Sequence, residues 1–202
     1  MEKESYNFFA AIARMKYIDR WALMRNSREE NLCEHSMEVA MLAHALCKIG
    51  NLYLNKNLNA DKAAVIGLYH DASEIITGDM PTPVKYYSET IRSAYKEVEK
   101  VAEQKLIDKL PEEMRRDFSE IFWEEQPSKE DLYVRRLVKA ADKLSALIKC
   151  INEEKAGNGE FHTAKNTIQK AVDEMCEELE EVKIFCDKFL KAYGQTLDEL
   201  SE

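Results

Sequence analysis

Apolar residues recur at helical spacing along almost the whole chain, and the alternation a half-buried strand requires is absent. The pattern predicts a first helix from a Ser5 cap to about Met15, with Phe8, Phe9, Ile12 and Met15 inward. Residues 17–26 lack clean periodicity and read as a connector. A second helix is expected from about Asn31 to Leu52, with His35, Val39, Leu42 and Leu46 on one face. His35 therefore points at the core from near that helix's start. Asn59 caps a third helix, which runs through His70, Asp71 and Glu74 and stops at Gly78. Two prolines make residues 79–85 a stiff, extended loop. Ser88 caps a charged helix to about Leu110, with a stripe of Ile91, Tyr95, Val98, Ala102 and Leu106. Pro111 opens the next helix and Pro127 ends it. Ser128 and Asp131 form a capping box for a helix whose buried face is Leu137, Ala141, Leu144, Ile148 and Ile151. Asp142 lies at the edge of that face. Gly157-Asn158-Gly159 closes it. A last helix is expected over about 162–193, with Met175, Leu179, Val182, Phe185 and Phe189 inward and a solvated acidic run at Glu177–Glu181.

The expectation is a single all-α domain over residues 1–202 with a buried metal site. The composition, 45% hydrophobic and 33% charged, suits a globular chain rather than a disordered one. A formal net charge of -9 argues against nucleic-acid polymers and anionic membranes, whose recognition needs a basic surface. A small anionic ligand needs only a local positive cluster. No apolar run is long enough to span a bilayer, and the N-terminus does not read as a signal peptide. The five cysteines form no C-x-x-C pair, which suits reduced, partly buried thiols in a cytoplasmic protein.

One stretch stands apart: Leu68-Tyr69-His70-Asp71-Ala72-Ser73-Glu74. In a continuous helix, His70 and Glu74 are i,i+4 and Asp71 and Glu74 are i,i+3, so the three share one sector. Ionisable groups among apolar neighbours are costly unless something pairs them, and a divalent metal does so. His70 alone is more often a hydrogen-bonded core histidine than a ligand. The second core-facing histidine, His35, and the later Asp142 change those odds. Two imidazoles and two carboxylates suit six-coordinate Mn2+, Co2+, Fe2+ or Mg2+ better than a structural zinc site. Of the other histidines, His44 reads as a packing residue and His162 as exposed near a helix start.

Glu34-His35-Ser36, His70-Asp71 and Asp142 together resemble the H…HD…D signature of the HD-domain metal-dependent phosphohydrolases. Arg20-Trp21, Arg25-Asn26, Gly78-Asp79-Met80-Pro81-Thr82-Pro83-Val84-Lys85-Tyr86 and Lys139-Ala140-Ala141-Asp142 bring the chain closer to one branch, the bacterial 5'-deoxynucleotidases. The motifs span residues 20–142.

That resemblance implies hydrolysis of 2'-deoxynucleoside 5'-monophosphates to deoxynucleoside and phosphate, with a divalent ion, Co2+ or Mn2+ being typical. It implies His35, His70, Asp71 and Asp142 as metal ligands and Glu74 as the acid or base. It implies substrate contacts at Arg20, Trp21, Asp79, Met80, Pro81 and Thr82, with His35 and Asp142 facing substrate as well as metal. Arg20 would grip phosphate with its planar fork and offset charge in the transition state. Trp21 would wall the sugar and leave no room for a 2'-hydroxyl. Taken alone, Trp21 reads as a core aromatic and Asp79 as a turn residue. Lys85 is a weaker phosphate candidate. The resemblance also implies a homodimer. Two alternatives stay open: an HD-type enzyme for a cyclic nucleotide or a triphosphate, and a non-catalytic nucleotide-binding module.

Overall fold

A computed structural model describes residues 5–85 and 87–201, apart from the side chain of Thr82. Among the described residues no strand forms, and the one isolated antiparallel bridge pairs Asp19 with Asn31. The α-helices are α1 (Phe8–Ile12), α2 (Leu32–Tyr53), α3 (Ala60–Tyr69), α4 (Glu74–Thr77), α5 (Thr82–Lys85), α6 (Glu89–Ile107), α7 (Glu112–Phe122), α8 (Lys129–Lys155), α9 (His162–Glu178) and α10 (Glu180–Lys188). The all-α expectation holds. The described residues group into two compact units, each made from several stretches of chain.

The first unit comprises residues 5–23, 29–36 and 69–126. Its core is Phe8, Met15, Leu32, Ala72, Leu106, Ile107 and Leu110, ringed by Tyr69, Phe118 and Phe122. Phe8 meets the Phe118 ring edge-on at 5.2 Å between centroids. Several elements depart from the sequence pattern. Ser5 is not a cap, since α1 starts at Phe8 and gives way at Ala13 to a 3₁₀ turn. Ser88 does cap α6, accepting from the Ile91 N–H at 3.2 Å. Within α6, Tyr95, Ala102 and Leu106 are buried, while Ile91 and Val98 face outward. Residues 79–85 are not wholly extended, because Pro81 starts a turn of helix and accepts from the Val84 and Lys85 N–H groups at 2.8 and 3.1 Å.

The second unit comprises residues 24–28, 37–68 and 127–201. The Ser128–Asp131 capping box forms at the start of α8, whose Leu137, Ala141, Leu144 and Ile148 are buried. Gly157, at φ +81°, ends that helix as a residue without Cβ can. Gly67 lets α3 approach α2, because a Cβ there would sit 2.8 Å from the Ala40 Cα. The expected last helix is broken at Leu179, whose extended backbone separates α9 from α10. The acidic run beside the break is not all solvated. Glu181 is fully buried and receives the Lys56 ammonium at 2.6 Å and the Tyr133 hydroxyl at 2.9 Å. Phe189 is exposed, contrary to its expected inward position.

Candidate metal centre

His35 and the His70-Asp71 pair come from two separate stretches of the first unit, residues 29–36 and 69–126. Asn31 caps α2, its side chain accepting from the Cys33 and Glu34 N–H groups at 3.0 and 3.1 Å. That cap places His35 in the first turns of the helix, where it is 1% exposed. His70 and Asp71 do not lie on a continuous helix. α3 ends at Tyr69, and residues 70–73 form a turn before α4. The Ala72 N–H reaches the Tyr69 carbonyl at 2.9 Å and the Glu74 N–H reaches the Asp71 carbonyl at 3.0 Å, both i→i−3 bonds. The turn matters chemically. Adjacent residues in a regular helix point about 100° apart, whereas here the His70 Nε2 and Asp71 Oδ2 atoms lie 3.1 Å from each other.

The His35 Nε2 atom is 3.4 Å from the same Asp71 oxygen, and the two imidazole centroids are 5.1 Å apart. One atom from each of the three residues can be chosen so that all lie within 4.8 Å of one another. Neighbouring ligands about 2.1 Å from a first-row ion stand roughly 3.0–3.4 Å apart, and the two imidazole-to-carboxylate distances, 3.1 and 3.4 Å, match that spacing. Burial opposes ionisation of Asp71, yet the His70 and His35 imidazoles outweigh it and hold the carboxyl well below its usual range.

Glu74 sits at the start of α4, 7% exposed, with an Oε2 atom that is buried and lacks a hydrogen-bond partner among the described residues. Burial, reinforced by the Asp71 and Asp79 charges, pushes its carboxyl up to about 9. Lys85 and Arg20 oppose that rise. Asp79 is half-buried after Gly78 and accepts a hydrogen bond from the Trp21 backbone N–H. Burial raises its pKa and the Arg20 charge works against the rise. Met80 and Pro81 follow, both half-buried. Thr82 begins α5, but its side chain lies outside the described residues.

Arg20 and Trp21 sit on the connector before α2. Trp21 is half-buried with a left-handed backbone at φ +57°, a conformation costing a bulky residue about 1–3 kcal/mol. The Arg20 guanidinium pairs with the Glu30 carboxylate, a partner that sequence spacing did not flag. Lys85 is engaged by Glu99 at 2.7 Å and lies over the Tyr95 ring. Arg25 and Asn26 serve the second unit instead. Arg25 pairs with Glu160, its carbonyl accepts from the Asn158 side chain, and Asn26 bonds the Met24 carbonyl. Asp142 is on α8 in the second unit, with the Lys143 ammonium 3.2 Å away. His44 stands partly exposed, 3.8 Å from Asp61, and His162 is exposed at the start of α9.

A family model described as 5'-deoxynucleotidase YfbR-like matches residues 7–193. The chain belongs to that family. Among its YfbR-like relatives, a 5'-deoxynucleotidase of Enterobacter sp. (strain 638) is 47% identical, over 97% of this chain and 96% of the relative. The 5'-deoxynucleotidase YfbR of Escherichia coli (strain ATCC 8739) is 45% identical, over 99% of this chain and 98% of the relative. The fold is shared with an HD-domain phosphohydrolase from Listeria innocua, at TM-score 0.78 and 23% identity, over 97% and 89% of the two chains. It is also shared with the cyanophage S-2L HD phosphohydrolase solved bound to dA and one catalytic Zn2+ ion, at TM-score 0.58 and 17% identity, over 90% and 95%.

Proposed function

We propose that this protein is a divalent-metal-dependent 5'-deoxynucleotidase, hydrolysing 2'-deoxynucleoside 5'-monophosphates to deoxynucleoside and phosphate. The observation that carries the reading is the convergence of His35, His70 and Asp71 beside the buried Glu74, in a chain that belongs to a 5'-deoxynucleotidase family. Those three residues and Asp142 would hold the ion; their mixed nitrogen and oxygen donors suit Co2+, Mn2+, Fe2+ or Mg2+, and the family resemblance puts Co2+ or Mn2+ first. When bound, a divalent ion supplies Lewis acidity at the phosphoryl group.

The chain's own residues do the rest. Arg20 binds phosphate oxygens and offsets the charge that grows on them. Glu74, a buried carboxyl with one oxygen left unpartnered, delivers a proton to the departing 5' oxygen or orients the attacking water. Trp21 packs against the deoxyribose and excludes a 2'-hydroxyl, and Asp79 accepts from the 3'-hydroxyl. Met80, Pro81 and Thr82 complete the wall on that side. No base-reading group is evident among the described residues, so turnover should span purine and pyrimidine deoxynucleotides. No helix among the described residues is long and apolar enough to cross a membrane. We place the enzyme in the cytoplasm as a homodimer and treat both units as one HD domain, since the family match spans both.

The test is phosphate release from matched deoxy- and ribonucleoside monophosphates, after chelation and re-addition of cobalt, manganese or magnesium. Release from the deoxy series alone, restored by metal and lost in Glu74→Ala, is the expected result. No release with any metal rejects the nucleotidase reading, and turnover only of cyclic nucleotides or triphosphates replaces it.

A further inference from the structure

We propose that Glu30 is a positioning residue that fixes the Arg20 guanidinium for its phosphate. The inference rests on the nucleotidase reading and adds a residue to it.

The Asp19–Asn31 bridge is closed by two hydrogen bonds, Arg20 N–H to Glu30 C=O at 2.8 Å and Leu32 N–H to Ile18 C=O at 3.0 Å. This antiparallel register sets Arg20 directly opposite Glu30, and directly opposed side chains project from the same face. The guanidinium and the carboxylate meet there, ten positions apart in sequence. Their side chains are only 12% and 15% exposed, so water does not compete strongly for either. A pair exposed to solvent would contribute little, but a shielded arginine–carboxylate pair defines a direction as well as a charge balance.

Glu30 is itself held. The next residue, Asn31, caps the helix that carries His35. One short segment thus anchors both the arginine and the start of the metal-ligand helix. On the other side, the Trp21 N–H is tied to the Asp79 carboxylate. Arg20 is therefore bracketed by a neighbour on each side, and its long side chain is pinned near its tip by Glu30. A flexible arginine must lose rotamer freedom each time it grips a phosphate, whereas a pinned one has lost it on folding. Glu30 contributes negative charge beside an anion site, which disfavours phosphate binding through space. The two roles have opposite signs, so removing the charge separates them.

The experiment combines kcat and KM for a deoxynucleoside monophosphate with calorimetric binding of inorganic phosphate, both on metal-loaded protein. Wild type, Glu30→Gln, Arg20→Ala and the double variant are compared, with metal content and thermal melting measured on each. A positioning role predicts that Glu30→Gln lowers kcat/KM by about tenfold or more and weakens phosphate binding, with metal content unchanged. In the Arg20→Ala background the same substitution should change either quantity by less than about twofold, because its effect runs through the arginine. Unchanged or tighter phosphate binding in Glu30→Gln overturns the proposal, as does a loss of equal size in both backgrounds. Wild type that binds phosphate but turns over no deoxynucleotide rejects the nucleotidase reading, and the binding cycle then decides Glu30 alone. Wild type that binds no phosphate overturns the proposal directly.

Discussion

Replacing Glu153 by glutamine should destabilise the protein by about 3 kcal/mol at pH 7, through an ion pair remote from the chemistry. Glu153 is 2% exposed and Lys149, one helical turn before it, is 6% exposed. The carboxylate accepts the Lys149 ammonium, the Asn158 side chain at 2.7 Å and the Ser27 N–H at 2.8 Å, and the same ammonium also donates to the Arg28 carbonyl. This knot fastens residues 24–28 to the end of α8. Burial disfavours the ionised form, but the Lys149, Asn158 and Ser27 hydrogen bonds prevail and bring the carboxyl from 4.5 down to about 2. That difference corresponds to about 3 kcal/mol, and so little exposure leaves little room for solvent screening. Because the folded pKa is depressed, this stability is complete above pH 4.5 and is lost as pH falls towards 2. Glutamine keeps the shape but leaves the Lys149 charge uncompensated, a defect typically costing about 3–5 kcal/mol. Urea unfolding followed by far-UV circular dichroism reads the gap between wild type and variant. It should be constant from pH 7 to about 5 and narrow to roughly 2 kcal/mol at pH 3.5. A gap below about 1 kcal/mol at pH 7, or one that does not narrow in acid, would rule out a stabilising role for this ion pair.

Other outcomes follow from the same structure. Glu181→Gln should cost less than Glu153→Gln in the same urea assay, because its partner Lys56 is 34% exposed and can turn to water when the charge is removed. Asp71→Asn should lower bound divalent metal in elemental analysis of the dialysed protein by at least about tenfold in affinity, since that carboxylate lies within 3.4 Å of both imidazoles. Full metal occupancy in that variant would remove Asp71 from the ligand set. Chelation should abolish phosphate release while changing the far-UV spectrum little, because each unit has its own apolar core; global unfolding would mark the ion as structural. Trp21→Ala should raise ribonucleotide turnover relative to deoxynucleotide turnover, and an unchanged ratio would free Trp21 from sugar selection.

The all-α class, most helix starts and the metal-binding residue types were legible in the sequence because each depends on residues close along the chain. Ser128 and Asp131 satisfy one another across three residues, and the Leu137–Ile148 face repeats every three or four positions. His35 could be assigned a buried side from the same rhythm. Periodicity also misled where a pattern continued past a break. His70, Asp71 and Glu74 have helical spacing, yet the chain tightens into a turn there, and only that turn lets neighbouring His70 and Asp71 converge. Val98 continues an apolar stripe and still faces outward.

Local patterning alone thus makes this a helical protein carrying two histidines and acidic residues of metal-binding character. What those residues meet depends on packing between distant segments. Glu181 belongs to an acidic run by composition, but Lys56 and Tyr133 reach it from distant segments and make its burial tolerable. Arg20 faces Glu30 because a backbone bridge sets the register, and Trp21 adopts a left-handed backbone while its N–H is held by Asp79. Helical propensity and capping act over a few residues, whereas the pairing of charges follows from which segments the apolar cores bring together.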